Sequence, residues 1–498
     1  MSAIDRRACW LAAALALALT ALAFARPIDH DESQYVAAAE LARHGLVYRD
    51  FAYLQTPLQP LLFAPLAALF GRLAYPGLRL VNALLGVVAI ALVHRGCRAA
   101  GADRRAASIA AGGFACCDIF LFSAAVARND MLPATLFAAA VALMVRQARD
   151  TRRARAAAIG LLLSAATAAK LSYAVPAIAY GGLALADRRH RPGWLMLGAL
   201  PPALLVGWTW ASAPAAFAFD VLRFPAIAPE QFYAAGRAWK LALWARGFDT
   251  LKFLALGPAL LALVLAVRNR RRDALAVMLD VMILAGLIAA LLPAPTWRQY
   301  LLVMLPPLFV RLSLVPVPRW GVRRAGIVFA LAGLAPSIVT LATAFATGFP
   351  LVAAIRDGAA LDTAFDRAEV IGPVATLSPQ FVPATGRPID LRFAAGPFYY
   401  RSAGLLAPAE ERAFGLISRA TAPGALTADP PAVIVTGGEG DWTSGDSRLD
   451  GSLASIARAA GYRASAVPGT PFTLYVAPAP AARTAPAERH EPAASTPR

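Results

Sequence analysis

The chain has 498 residues, of which 58% are hydrophobic and only 16% are charged, whereas soluble domains typically carry about a quarter charged residues. This composition excludes an ordinary soluble domain and predicts an integral membrane protein with helical spans. The net charge of +18 does not indicate nucleic-acid binding, because the Lys and Arg residues form short clusters between apolar runs. The four cysteines lie in or beside apolar runs without metal-ligand spacing, so we expect neither a disulfide nor a zinc–cysteine site.

The first apolar run, residues 8–24, is long enough to cross a bilayer and follows an arginine pair that holds the N-terminus in the cytoplasm. A cleaved signal peptide is the alternative, because the run ends in an A-x-A pattern at residues 23–25. We favour an uncleaved first span, since many more apolar runs follow it. The loop after this span, residues 26–76, is therefore expected to face the outside.

Two adjacent carboxylates, Asp31 and Glu32, lie early in this outer loop. Charged side chains next to a bilayer are costly to bury and easily replaced by mutation, so their presence calls for a reason. A helix is predicted to begin here, with Asp31 as its N-cap, Gln34 in its first turn and Gly45 as its end. A structural role is therefore open, in which Asp31 caps the helix and Glu32 favours its positive end. The alternative is that Asp31 and Glu32 take part in chemistry. The neighbouring His30 is expected to be an ordinary loop residue.

The later apolar runs predict ten further spans, which places every strong basic cluster between spans in the cytoplasm and the C-terminus outside. The apolar piece at residues 61–70 is too short to span and is expected to lie along the interface. The spans are expected at residues 77–94, in a hairpin of about forty apolar residues with its outer tip at 128–130, in a short pair at 156–186, and at 194–212, 251–267, 274–292, 301–314 and 325–346.

The short pair at residues 156–186 gives each crossing only about fifteen residues, or about 23 Å at 1.5 Å per residue. Two helices of this length barely cross the hydrocarbon layer. Their turn, which contains Lys170, is therefore expected to lie sunken in a wet outer cavity.

From about residue 350 the composition changes to alternating short strands and helices. Strands are predicted at 370–377, 432–436 and 472–476, and helices at 410–420 and 453–460. This alternation predicts a small extracytoplasmic α/β domain at residues 351–477. The glycine-rich sequence at residues 437–440 lacks a phosphate-binding pattern and is expected to be a turn. Residues 478–498 are rich in Ala and Pro and are expected to be disordered.

The predicted topology places the polar and charged residues that interrupt or adjoin the apolar runs at the outer membrane face. They are residues 30–32, residues 128–130, Lys170 and Arg298. Carboxylates there could supply a general base or hold a divalent metal cation, for which Asp31 and Asp130 are the candidate ligands. Cations at the same depth could clamp a lipid-linked phosphate. Structural alternatives stay open: Arg128 pairs with Asp130 at a hairpin tip, Lys170 snorkels to the interface, and Arg298 belongs to an interfacial anchor.

Several short motifs resemble the GT-C class of membrane glycosyltransferases, in the branch that contains protein mannosyltransferases and the aminoarabinose transferases of lipid A (glycosyltransferase families 39 and 83). The resemblance covers about residues 1–350. The motifs are Asp31-Glu32 with Tyr35 behind them, the tip Arg128-x-Asp130, Lys170 near the end of a short helix, and Arg298-Gln299-Tyr300 before Pro306 and Pro307. One departure lies late in the first loop, where aminoarabinose transferases carry Glu-Lys before a proline and this chain has Gln55-Thr56-Pro57.

The resemblance implies a mainly α, polytopic GT-C-like domain at residues 1–350 in the inner (plasma) membrane. It implies a hexosyl- or pentosyltransferase that moves a sugar from a polyprenyl-phosphate donor to an extracytoplasmic glycolipid, polysaccharide or protein. The implied catalytic residues are Asp31, Glu32 and Asp130. The implied substrate-binding residues are Arg128, Lys170, Arg298 and Tyr300.

Two other classes of function compete with this interpretation. A transporter or flippase of lipid-linked sugars would be expected to have paired halves around a midplane site. The polar residues of this chain are instead expected at one membrane face. A non-catalytic membrane scaffold would leave Asp31 and Glu32 with no role beyond capping a helix.

Overall fold

The computed structural model describes residues 3–478, except 235, 270, 317–319, 403 and 441. Residues before about 350 are predominantly helical, and short 3₁₀ and π segments link several of the helices. The helices are α1 (Ala3–Ala25), α2 (Glu32–Leu41), α3 (Leu58–Phe70), α4 (Ala74–Ala99), α5 (Arg104–Ala115), α6 (Asp118–Ala124), α7 (Met131–Arg149), α8 (Arg153–Ala169), α9 (Ala174–Ala186), α10 (Pro192–Ser212), α11 (Pro214–Ala218), α12 (Phe224–Ala234), α13 (Leu243–Ala255), α14 (Ala259–Arg268), α15 (Ala274–Leu291), α16 (Leu305–Leu312) and α17 (Trp320–Thr347).

Within the described residues, five helical segments are long and apolar enough to cross a membrane, or up to seven if each of two bent helix pairs forms one span. The predicted count of about eleven spans is not confirmed, because several predicted spans form shorter or broken helices. The pair at residues 156–186 forms α8 and α9, and residues 61–70 join α4 in one helical stretch of 42 residues. The five segments are Leu58–Ala99, Met131–Arg149, Pro192–Ser212, Ala274–Leu291 and Gly321–Thr347.

Two predicted continuous spans are broken, and the breaks lie against each other. The hairpin before residue 128 bends by 67° between α5 and α6, and the span predicted at 251–267 bends by 98° between α13 and α14. The second break falls at Gly257, whose φ of +134° is unfavourable for other residues, and Pro258 follows it. The Asp118 N–H donates to the Leu256 carbonyl oxygen over 3.0 Å. A backbone donor at the first break and a backbone acceptor at the second are therefore hydrogen-bonded to each other.

The span predicted at residues 301–314 is not one α-helix. It begins as the 3₁₀ segment Arg298–Met304 and continues as α16. Pro306 and Pro307 stand in the first turn of α16, where a missing N–H costs least, and they prevent a regular helix from continuing upstream.

The C-terminal part contains a four-stranded sheet in the order β1-β2-β4-β3, with β1 parallel to β2 and the other neighbours antiparallel. The sequence did not predict strand β3 or helix α18. The tail predicted to be disordered lies outside the described residues from residue 479 onwards. The elements are α18 (Pro350–Arg367), β1 (Val374–Thr376), α19 (Pro397–Tyr400), α20 (Pro408–Ala413), α21 (Ala422–Ala428), β2 (Val433–Thr436), α22 (Ser447–Ala459), β3 (Arg463–Ala466) and β4 (Thr473–Val476).

The two faces of this sheet pack against different partners. Ile434 and Tyr475 face a small core that includes Leu453 of α22. Val433 and Leu474 belong instead to a core that also contains side chains of α2 and α3 from the first outer loop. The sheet and the loop that carries the acidic pair therefore share one hydrophobic core, with the 3₁₀ segment Pro379–Thr385 in contact with both β1 and α2.

Candidate active site

The acidic loop between α1 and α2 is organised by Asp29, a residue that the sequence interpretation overlooked. Asp29 Oδ1 accepts from the Asp31 N–H over 2.9 Å, and Glu32 Oε2 accepts from the Asp29 N–H over 3.0 Å. This reciprocal arrangement is a capping box. Asp31 stands at the N-cap position of α2 as predicted, but its side chain makes no capping hydrogen bond, and the side chain of Asp29 supplies one instead. The spacing Asp-x-x-Glu from Asp29 to Glu32 is the signal that could have located the cap.

Glu32 is completely buried and fully engaged. Its carboxylate accepts from Arg79 Nε over 2.7 Å, from the Tyr75 hydroxyl over 2.7 Å and from the Ala127 N–H over 2.6 Å. These partners belong to α4 and to the segment just before Arg128. Glu32 thus joins three parts of the chain, and its partners leave little room for a substrate.

Four of the seven candidate residues form one charged row, which we define as Asp31, Arg128, Asp130 and Lys170. Arg128 Nη1 pairs with Asp31, and Arg128 Nε donates to Asp130 Oδ2 over 3.2 Å. Lys170 pairs with the other oxygen of Asp130. The row is assembled from helix ends: Asp31 precedes α2, Asp130 precedes α7 and Lys170 follows α8.

The two carboxylates of the charged row differ in access. The side chain of Asp130 is 2% exposed and lies between two cations, whereas that of Asp31 is 20% exposed. Burial tends to raise the pKa of the Asp31 carboxyl, but the Arg128 guanidinium and the His30 ring outweigh it and hold this pKa well below its usual range. Burial raises the pKa of the neighbouring Asp29 carboxyl, against the lowering effect of Arg128. Asp31 is therefore the ionised carboxylate that a substrate can reach.

His30 links Asp31 to the C-terminal part of the chain, so it is more than an ordinary loop residue. Its Nε2 lies 3.0 Å from Asp31 Oδ1, and its Nδ1 lies 3.5 Å from Glu439 Oε2. Burial opposes its charge and lowers its pKa, but the two neighbouring carboxylates outweigh burial and raise this pKa to about 10. Glu439, which is fully buried, belongs to the glycine-rich turn after β2. Nothing in the sequence near Glu439 indicates this partnership, because it joins residues far apart in the chain.

The same glycine-rich turn and the residues after it hold the acidic loop through its backbone. The His30 N–H donates to Ser444 Oγ over 3.0 Å, and the Ser444 N–H donates to the Ile28 carbonyl oxygen over 3.2 Å. Ile28 and Thr443 also form a parallel β-bridge. The position of Asp31 therefore depends on contacts from both ends of the chain.

Arg298 and Tyr300 lie beside the charged row. Arg298 Nη1 donates to Asp118 Oδ2 over 3.0 Å, and its guanidinium lies 3.7 Å from the ring centroid of Phe122. The Arg128 guanidinium lies 5.7 Å from the same ring, so Phe122 connects Arg298 to the row. Lys170 Nζ lies 5.3 Å from the centroid of the Tyr300 ring.

The donor set does not fit a divalent cation. Within the described residues, no group of three or more His, Cys, Asp or Glu side chains is placed to hold a metal ion. Arg128 lies between the two predicted ligands, Asp31 and Asp130, and already contacts both carboxylates.

Comparison with known proteins identifies the fold. No protein-family model and no curated protein matches the chain. Two crystal structures of ArnT from Cupriavidus metallidurans, each 15% identical, align over 95% of this chain and 98% of theirs, with TM-scores of 0.60 in the apo state and 0.56 bound to undecaprenyl phosphate. The Archaeoglobus fulgidus oligosaccharyltransferase aligns over 89% of this chain and 72% of its own, at 13% identity and a TM-score of 0.47. The resemblance predicted from the sequence is thus confirmed at the level of the fold, and the chain has the GT-C fold that ArnT exemplifies.

Proposed function

We propose that this multi-pass membrane protein is a glycosyltransferase that moves a sugar from a polyprenyl-phosphate donor to an acceptor outside the cytoplasm. The observation that carries the proposal is the charged row, with one accessible carboxylate beside several cations. The fold supports it, because ArnT was crystallised with undecaprenyl phosphate. The transporter alternative has no comparable support.

The proposed reaction needs an acceptor to be activated and a phosphate to be stabilised. The acceptor hydroxyl oxygen forms a bond to the anomeric carbon, the bond from that carbon to the phosphate oxygen breaks, and its electrons remain on the phosphate. The hydroxyl proton passes to Asp31. Because Asp31 is kept ionised, it can accept a hydrogen bond from the hydroxyl at the outset. It takes the proton as the new bond makes that hydroxyl strongly acidic.

The remaining residues have supporting roles in this proposal. The leaving phosphate gains negative charge, and Lys170 and Arg298 supply positive charge beside the row. Asp130 holds Arg128 and Lys170 in place, and Glu32 fixes the acidic loop. Tyr300 supports Lys170 through its ring. A divalent metal cation stays a prediction from the sequence and has no part in these steps.

Substitution of Asp31 by Asn tests the proposal most directly. The amide keeps the size of the side chain and an oxygen that can accept from Arg128, which also stays paired with Asp29 and Asp130. The variant should therefore still fold, yet the amide cannot accept the proton. We expect sugar transfer to slow by about 10²–10⁴-fold, the usual effect of losing a general base. The measurement is transfer from radiolabelled polyprenyl-phosphate sugar in reconstituted vesicles at matched protein levels.

Asp103→Asn is the matched control. Asp103 caps α5 through a 2.7 Å hydrogen bond from the Ala106 N–H, and Asn caps a helix as well as Asp does. This control should retain normal transfer. Equal rates for wild type and Asp31→Asn would refute the catalytic assignment.

A further inference from the structure

Most cations near the charged row already have a carboxylate partner. Arg298 pairs with Asp118. The other pairs are Arg79 with Glu32, Arg128 with Asp31, and Lys170 with Asp130. Arg26 differs, because none of the ion pairs among the described residues includes it. Arg401 lies near Asp31 and is also absent from these ion pairs, but it stacks on the rings of Phe232 and Phe398. Beside Phe122, the arginine without an ion pair in the described residues is Arg26.

Arg26 lies directly after α1 and is enclosed, with 7% of its surface exposed. Its Nε and Nη2 atoms are buried, and neither makes a hydrogen bond to any part of the chain that the structure describes. Leaving a charged donor without a partner in the interior costs more than leaving a neutral one. Its backbone is fixed, since the Arg26 carbonyl oxygen accepts from Arg79 Nη1 over 2.9 Å. The side chain is thus held in a place where it lacks a partner.

A second arginine faces the same space. The Arg26 guanidinium lies 5.5 Å from the Phe122 ring centroid, and that of Arg298 lies 3.7 Å from it. Asp118 is the carboxylate beside them; its Oδ2 accepts from Arg298, and its Oδ1 is buried without a hydrogen bond in the described residues. Arg128, the third guanidinium at this ring, has carboxylate partners of its own. Arg26 and Arg298 have Asp118 beside them, which leaves one positive charge in excess at Phe122. Guanidinium groups bind phosphate oxygens through paired N–H donors.

We propose that Arg26 and Arg298 form an anion site around Phe122 that takes the phosphate of the lipid-linked donor. This inference rests on the proposed function and adds to it a residue outside the sequence motifs. The ring of Phe122 also meets Arg128 of the charged row at 5.7 Å, so a phosphate at this site lies next to the row that carries Asp31. Arg26 adds to this site two N–H groups, at Nε and Nη2, that make no hydrogen bond in the described residues.

The test is binding of radiolabelled undecaprenyl phosphate to the full-length protein in vesicles. We expect Arg26→Met to weaken binding by about 10- to 100-fold, since hydrogen bonds to charged groups contribute strongly. Arg26→Lys should retain part of the affinity, because it keeps the charge and loses the paired donors. Undecaprenol, which lacks the phosphate, should bind all three proteins equally weakly. Phosphatidylglycerol in excess should compete poorly, which distinguishes the polyprenyl phosphate from an ordinary lipid headgroup.

Arg72→Met is the matched control, because Arg72 is exposed and pairs with Asp362 at the surface. It should bind undecaprenyl phosphate as wild type does. Without ligand, Arg26→Met should be at least as heat-stable as wild type, because an unpartnered buried charge does not stabilise the fold. A loss of folding in this variant would show a structural role and contradict the inference.

Two binding outcomes separate the inference from the proposed function. If wild type and Arg26→Met bind undecaprenyl phosphate equally well, the Arg26 site is refuted and the proposed function stands. If wild type itself binds undecaprenyl phosphate no better than undecaprenol, the proposed donor is refuted together with the site.

Discussion

Three carboxylates within four residues, Asp29, Asp31 and Glu32, have different environments because they face different partners. The Asp29 side chain accepts a hydrogen bond from the Asp31 N–H, and the Glu32 side chain accepts one from the Asp29 N–H. These two hydrogen bonds fix the backbone at the start of α2. Glu32 also neutralises a buried arginine, whereas Asp31 keeps access to solvent. Residue type and spacing drew attention to Asp31 and Glu32, but the different environments of these carboxylates depend on partners from α4 and the 128–130 tip. Those partners are distant in sequence, so local pattern could not assign them.

Glu439→Gln tests whether the C-terminal turn tunes Asp31 through His30. The pKa of His30 is raised to about 10, so the ring is charged below that pH and neutral above it. Replacing the Glu439 carboxylate by an amide removes one of the two groups that favour the charge. The His30 pKa should fall, and the ring should lose its proton at a lower pH than in wild type. We expect the alkaline limb of the kcat/KM profile to move to lower pH.

The measurement is kcat/KM for sugar transfer across neutral and alkaline pH. The control is Glu410→Gln, which alters a capping carboxylate of the same part of the chain at α20. Its profile should match that of wild type. An alkaline limb that does not move in Glu439→Gln would show that Glu439 has no electrostatic effect on the site.

Helix breaks are the elements that hydropathy predicted least well. A hydropathy window records composition, and both broken helices remain apolar through their bends. The Gly257-Pro258 pair was a visible signal, since both residues interrupt helices. The Cys116–Cys117 break carries no such residues, and it forms where the other broken helix supplies its backbone partner. The position of α6, and with it Phe122 and Asp118, follows from this contact.

Gly257→Ala should destabilise the protein. A β-carbon there would lie 2.7 Å from Cys117 Cα, and φ is +134°, where side chains are strained. Backbone strain and overpacking together should cost about 2–5 kcal/mol. The measurement is the thermal unfolding temperature in detergent.

Gly247→Ala is the control for this substitution. Gly247 lies in α13, and nothing lies within 4 Å of its added β-carbon. The control should leave the unfolding temperature unchanged or raise it slightly, because Ala favours helices over Gly by up to about 1 kcal/mol. A Gly257→Ala protein as stable as Gly247→Ala would mean that the close approach to Cys117 is not needed.

For the whole molecule, composition alone correctly indicated a helical membrane protein, and the short motifs indicated its fold. The number of spans could not be predicted in the same way. Short and bent helices are as apolar as full spans, so the number of apolar runs does not give the number of membrane crossings. The core that the sheet shares with the first outer loop could not be predicted from the sequence either. Strands such as β2 could be recognised locally, but the core that β2 shares with α2 and α3 joins residues far apart in the chain.

The orientation of the whole molecule is a prediction that fusions can test. A periplasmic reporter fused after residue 350 should be active outside the cytoplasm, and the same reporter fused at Arg191 should be inactive. The reason is that basic clusters between spans stay on the cytoplasmic side. The opposite pattern of activities would invert the arrangement and place the charged row inside the cell.

The contact between Ser444 and Ile28 also sets an order of events during biosynthesis. The acidic loop leaves the ribosome before the segment that holds it, which follows more than four hundred residues later in the chain. Membrane insertion of the early helices therefore precedes completion of the loop's surroundings. Until the late segment has been made and has folded, His30 lacks its contact with Glu439, and the surroundings of Asp31 are incomplete.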